Sequence, residues 1–157
     1  MGYAKGTQVP VSKSRGQIDK LLRDWGAQGV QWTDEWGDSP KVTLRFIWDY
    51  KETPLSARFT LEMDDEAIRE ESCHLGTGQF LESKYERLRT AWAAEAHRLL
   101  FQFLKMALHA VEAGLIPAET IFMPWFEDQS GRTVADVLMP RLEELSRTSA
   151  TRLLVSG

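Results

Sequence analysis

Between residues 30 and 63 the chain alternates. Val30, Trp32 and Trp36 are interleaved with Gln31, Thr33 and Glu35. Val42, Leu44, Phe46, Trp48 and Tyr50 are interleaved with Thr43, Arg45, Ile47 and Asp49, and Leu55, Ala57, Phe59, Leu61 and Met63 with Ser56, Arg58, Thr60 and Glu62. A period of two repeated over three runs is the pattern of half-buried antiparallel strands. The segments between them, WGDSPK and KETP, carry turn residues. A three-stranded meander with one apolar face is therefore expected, and another element must cover that face.

The cover is readable as helix. Ser14-Arg15-Gly16-Gln17 has the form of a capping box, Ile18, Leu21, Leu22 and Trp25 follow at helical spacing, and Gly26 supplies a left-handed stop. A second, longer helix begins around Ser83. Tyr85, Leu88, Trp92, Ala96, Leu99, Leu100, Phe103, Leu104, Ala107 and Val111 keep one stripe until Gly114. At 1.5 Å per residue it is roughly 45 Å long and outruns the sheet, so it kinks or its excess packs elsewhere. Pro117 suits the start of a short helix, Pro124 stops it, Asp128-Gln-Ser-Gly131 turns, and Thr133 caps a last helix that Pro140 kinks or splits. Val9-Pro10-Val11 reads as a short edge strand and residues 64–82 as an acidic connection. The expected fold is α+β: a short N-terminal helix, a three-stranded antiparallel sheet, a long helix packed across it and a helical C-terminal tail. Residues 1–8 form an arm, 9–145 a single domain and 146–157 a tail.

Bulk properties remove whole classes of function. In a chain of 157 residues with net charge −4 and pI near 5.4, coating nucleic acid by bulk charge is disfavoured, although a local basic face survives that argument. Residues 62–71 hold six of the 23 acids, so the remainder is nearly balanced. The single cysteine, Cys73, cannot form an intramolecular disulfide and suits a reducing compartment. The first residues lack the apolar core of a signal peptide, and no run of about 18 apolar residues occurs. A cytoplasmic protein without a membrane anchor is expected.

The candidate sites are few. Four of the six tryptophans, Trp25, Trp32, Trp36 and Trp48, fall in the first third. They read as core beneath the long helix, with Trp36 next to a turn and partly exposed; the competing reading is a stacking platform for bases. The opposite sheet face offers Arg45 and Arg58 on adjacent strands with Thr43, Thr60 and Gln31. Facing solvent, they would suit phosphates or a partner's carboxylates, and Lys13 and Arg15 add positive charge on the first helix. The competing reading is an ordinary solvated face. His74, His97 and His109 form no HxxxH or HExxH pattern, and Cys73-His74 alone lacks further ligands, so no metal or other cofactor is expected. No acid–base–nucleophile set stands out, so no catalysis is expected.

LKMALHAVEAGLIPAETIFMPWF followed by GRTVADVLMPRLEEL resembles a family of uncharacterised small proteins of bacteriophages and prophages. The opening SR..ID.LL..WGA and the strands VTLRF and ARFTL extend the resemblance over roughly residues 9–145. Ala110–Leu115 and Gly131–Val134 are its most specific parts. The resemblance implies a phage or mobile-element setting and carries no site residues. The resulting expectation is a non-catalytic accessory protein associated with nucleic acid or DNA metabolism. The alternative is a protein-binding module, an inhibitor or adaptor acting on a host defence or replication complex. Self-association is expected in either case, because the far half of the long helix carries apolar side chains that need burial, by a second copy or else by residues 121–126 of the same chain.

Overall fold

The computed structural model describes residues 6–142 and 144–147; the first five residues of the expected arm and residues 148–157 of the expected tail lie outside them. The architecture is α+β. Helix α1 spans Val11–Trp25, and three strands follow: β1 Gly29–Glu35, β2 Lys41–Tyr50 and β3 Thr53–Glu62. Helix α2 covers Asp65–Glu71, α3 Glu82–Glu112, α4 Ala118–Phe122 and α5 Val134–Leu138. The sheet is an antiparallel meander in the order β1-β2-β3.

Most elements lie where local chemistry puts them. Gly26 ends α1 in the left-handed region at φ 112°, and its amide donates to the carbonyls of Leu22 and Arg23. The β2–β3 turn is tighter than KETP suggested. Lys51 and Glu52 both adopt positive φ, 48° and 66°, the conformation of a two-residue hairpin turn whose twist matches the strands. Thr133 accepts from the Asp136 amide and Asp136 accepts from the Thr133 amide, a reciprocal capping box for α5. Pro140 splits the last helix, for Met139–Arg141 tightens into a 3-10 turn.

Two expectations are corrected. Val9-Pro10-Val11 is not a strand. Pro10 sits at the N-cap of α1 with φ −67° and ψ 153°, a conformation its ring prefers, and the helix begins one turn earlier than the Ser14 box implied. Ser14 is thus a buried helical residue rather than a cap. The acidic connection is also partly helical: the Asp64 side chain accepts from the Ala67 amide and starts α2.

Helices α1 and α3 lie side by side on one sheet face. Ile18 and Leu22 of α1, Leu44, Phe46, Ala57 and Phe59 of the sheet, and Leu100, Leu104 and Leu108 of α3 form one buried cluster. Trp25, Trp32 and Trp48 pack against it half-buried. Trp32 and Trp48 therefore lie toward the core as their strand phase implied, and Trp25 joins them from α1. The far half of α3 is covered in part from within the chain, while Met106 stays 73% exposed. Phe122, fully buried, meets the rings of Trp25, Phe46 and Phe59, while Trp125 stacks on Phe59 at 4.7 Å and touches Phe103 at 5.3 Å. Among the described residues no helix is long and apolar enough to cross a membrane.

Candidate partner-binding cleft

The structure separates the residues picked out in the sequence. Gln31, Arg45 and Arg58 do form one row across the outer face, in register, with Thr33, Thr43 and Thr60 in the next. Lys13 and Arg15 belong to α1 on the other side of the sheet, so the two sets cannot form one surface.

The arginine row is also not open to solvent in the way expected. Arginines directly opposite on neighbouring strands repel, and a carboxylate from far along the chain resolves this. Glu127, with a side chain only 7% exposed, accepts from Arg45 Nε at 3.1 Å and forms an ion pair with Arg58, whose Nε lies 3.4 Å away without a hydrogen bond. The Ser56 hydroxyl donates to it at 2.9 Å. Arg58 donates through Nη2 to Asp136 at 3.0 Å. Thr43, expected on a wet face, is buried between its threonine neighbours, whereas Gln31 and Thr60 are exposed. Local structure fixes Glu127 in place. Its amide donates to the Ser56 carbonyl at 2.9 Å. The next residue, Asp128, accepts from the Ser130 hydroxyl and from the Arg132 and Ser130 amides, which holds its carboxyl down at about 2. The DQSG turn thus presents the acid that closes the arginine face.

A different site opens at the far end of the sheet, between α1, the β1–β2 turn, the end of β3 and the first half of α3. It is a cleft of about 560 Å³ lined by Val42, Met63, Trp92 and Ala93 among others, with Trp36 also lining it. Trp36 is 84% exposed. Its charged lining is balanced: Arg15, Lys41 and Arg89 against Asp34, Glu35 and Glu86.

The deepest polar part is a network that sequence reading missed. Asp34 falls in phase with Val30 and Trp32, at the rim of the helix-covered face, and its side chain stays 32% exposed. Arg15 satisfies it with both terminal nitrogens, one at 3.0 Å. Its Nε donates to His97 Nε2 at 3.1 Å, and its guanidinium lies 4.7 Å over the Trp32 ring. His97, 1% exposed, stands 2.7 Å from the Ala93 carbonyl through Nδ1. That contact requires a proton on Nδ1, which leaves Nε2 as the acceptor for Arg15. Burial pushes the His97 pKa down, and the Arg15 hydrogen bond followed by its charge pulls Asp34 down. Every nitrogen of the Arg15 fork and of the imidazole is engaged within the protein. The network pins α1, β1 and α3 together and forms one wall of the cleft. The clues in the sequence were an acid at an inward strand position and a histidine on the apolar stripe of α3.

Elsewhere the chemistry is local. His74 Nδ1 accepts from the Gly76 and Thr77 amides and shapes its own turn. Among the described residues no group of three or more His, Cys, Asp or Glu is arranged to hold a metal ion. No family model, curated protein or solved structure matches this chain.

Proposed function

We propose that the chain is a protein-binding module whose partner places an apolar anchor in the cleft beside Trp36. The observation that carries this reading is an almost fully exposed tryptophan lining a part-apolar cleft whose charges balance. Tryptophan and arginine dominate the energetics of protein interfaces. Three cations facing three anions suit the mixed charge of a protein surface better than the uniform charge of a phosphate backbone. The nucleic-acid reading is the weaker one, because Glu127 and Asp136 already engage the arginines it relied on. An inhibitor or adaptor acting on a host complex of a phage or mobile element fits this role, and that setting rests on the sequence resemblance alone.

The test compares immobilised wild-type protein with Trp36→Ala in nuclease-treated bacterial lysate. The exposed ring contributes little to folding, so the variant should melt within about 0.5 kcal/mol of wild type. The expected result is a protein retained by wild type and held about thirtyfold or more weakly by Trp36→Ala. Retention that ignores Trp36→Ala, or that vanishes with nuclease, rejects the reading.

A further inference from the structure

Resting on the protein-binding reading of the Trp36 cleft, we infer that the partner segment seated there is proline-rich and lies as a polyproline II helix across Trp36 and Trp92.

The tryptophans divide into two sets. Trp25, Trp48 and Trp125 meet other rings, and Trp32 stacks on His97 and donates its indole N–H to Asp19 at 2.8 Å. Among the described residues Trp36 and Trp92 have no ring partner, no cation over the ring and no hydrogen bond. Trp36 is 84% exposed and Trp92 half-buried, and both line the same cleft. Two aromatic faces, each with an unused donor, thus stand over walls of Val42, Met63 and Ala93. Most of the charged lining is already engaged. Arg15 holds Asp34 and His97, Lys41 pairs with Glu62 at 3.4 Å and Arg89 with Glu86 at 3.6 Å. Glu35 has the outward phase of Gln31 and Thr33.

Donors set in apolar surface call for a ligand that brings acceptors without burying donors of its own. A helix does not qualify, because its carbonyls are bonded internally. An extended strand brings one N–H for each carbonyl, and apolar walls offer those N–H groups nothing. A proline-rich segment brings carbonyls without N–H groups. Its polyproline II form makes no internal hydrogen bonds and is ordered before it docks, so little entropy is lost on binding. Aromatic-lined grooves recurrently take such segments.

The shape is that of a track rather than a hole. Trp92 also lines a second groove, of about 410 Å³, together with Phe59, Phe103 and Trp125. From Trp92 to Phe103 helix α3 runs about 16 Å at 1.5 Å per residue, a span of about five residues of polyproline helix at 3.1 Å each. The one charged residue lining that groove, Glu62, is the partner of Lys41, which suits a neutral segment.

The test follows the indole N–H signals of isotope-labelled protein by NMR as a synthetic peptide repeating Pro-Pro-Leu is added. Those of Trp36 and Trp92 should shift together and saturate, while that of Trp32, already given to Asp19, should stay. Trp36→Phe and Trp92→Phe keep a ring and delete a donor, and each should weaken binding about fivefold. If Trp92→Phe misfolds, Trp36→Phe, at an exposed ring, still decides. An amphipathic helical peptide of the same length and leucine content should leave both signals in place. No saturable shift with the proline peptide overturns the inference. So does an equal shift with the helical peptide, or Trp36→Phe binding as tightly as wild type. Added to the lysate experiment, the proline peptide should displace the protein retained through Trp36. If that protein stays bound, the proline-rich segment is rejected and the cleft remains a protein-binding site. If nothing is retained through Trp36 and no peptide binds, both are rejected.

Discussion

The two faces of the sheet are built by different physics from the same alternating strands. On the inner face Phe46, Phe59 and Leu44 meet α1, α3 and Phe122, and the stabilisation is burial, which is non-directional and needs only apolar side chains of suitable volume. On the outer face Arg45 and Arg58 are opposite one another and hold together only because Glu127 lies between them. One face tolerates approximation; the other depends on a single carboxylate 69 residues beyond Arg58 in the chain. Core patterns are thus local statements about phase. Ion pairs are long-range statements about which distant residue arrives.

The sharpest way to break this comparison is to cut adjacent residues on the two faces. Phe46 is 1% exposed and Ile47 41%. Phe46→Ala should destabilise by about 3–5 kcal/mol, the usual cost of deleting a buried ring and leaving a cavity. Ile47→Ala should cost under about 1 kcal/mol. Urea midpoints with unchanged slopes measure both; equal losses would dissolve the distinction between the faces.

Glu127→Gln addresses the outer face. The charge is lost while the shape is nearly kept, and two arginines are left facing each other. Both remain partly exposed, so the loss is smaller than for a sealed pair, about 1–3 kcal/mol. The variant also makes the arginine row available. It should acquire weak oligonucleotide binding by anisotropy at low salt, with a log–log salt slope near about −2 for two released phosphates, where wild type shows none. Wild-type binding equal to that of the variant would show that Glu127 does not mask the row.

What was legible in the sequence follows the same division. The meander, the long helix, the Gly26 and Gly114 stops, the DQSG turn and the Thr133 cap are all local. Each was readable because a few consecutive residues dictate it. The errors at Val9–Val11 and at α2 were also local, and arose where a proline and an acidic run admit two readings. Glu127 closing the arginine face was not legible, because its carboxylate is one of 23 acids and nothing near it in sequence points to Arg45 or Arg58. The Arg15–Asp34–His97 network was half legible. An acid in the inward phase of β1 pointed to a cationic neighbour, but only the packing of α1 beside α3 says which one. Trp36 was placed beside a turn by its sequence, yet the cleft around it belongs to four elements at once.

The smallest effect tests whether the inner face contains an ion pair as directional as the outer one. His97 is neutral because burial disfavours its charged form, and its lone pair serves Arg15. Its folded pKa lies below the unfolded 6.5, so between the two values the unfolded chain binds more protons. Stability from this group is complete above 6.5 and declines as pH falls from there through the folded value. Protonation would remove the acceptor for Arg15 and set a second cation beside it, relieved only in part by Asp34. Asp34 itself, with a depressed pKa, contributes stability that is lost only below 3.8, outside the pH range from 8 to 5 used in the test. Urea unfolding between pH 8 and 5 should show wild type weakening below neutrality. His97→Gln keeps an acceptor without a titrating ring and should be flat across that window, although less stable at pH 8. His74 and His109 are exposed and remain in both proteins, so they cancel in the difference. Identical pH slopes for the two proteins would mean that the Arg15–His97 bond contributes nothing directional, leaving the inner face to burial alone.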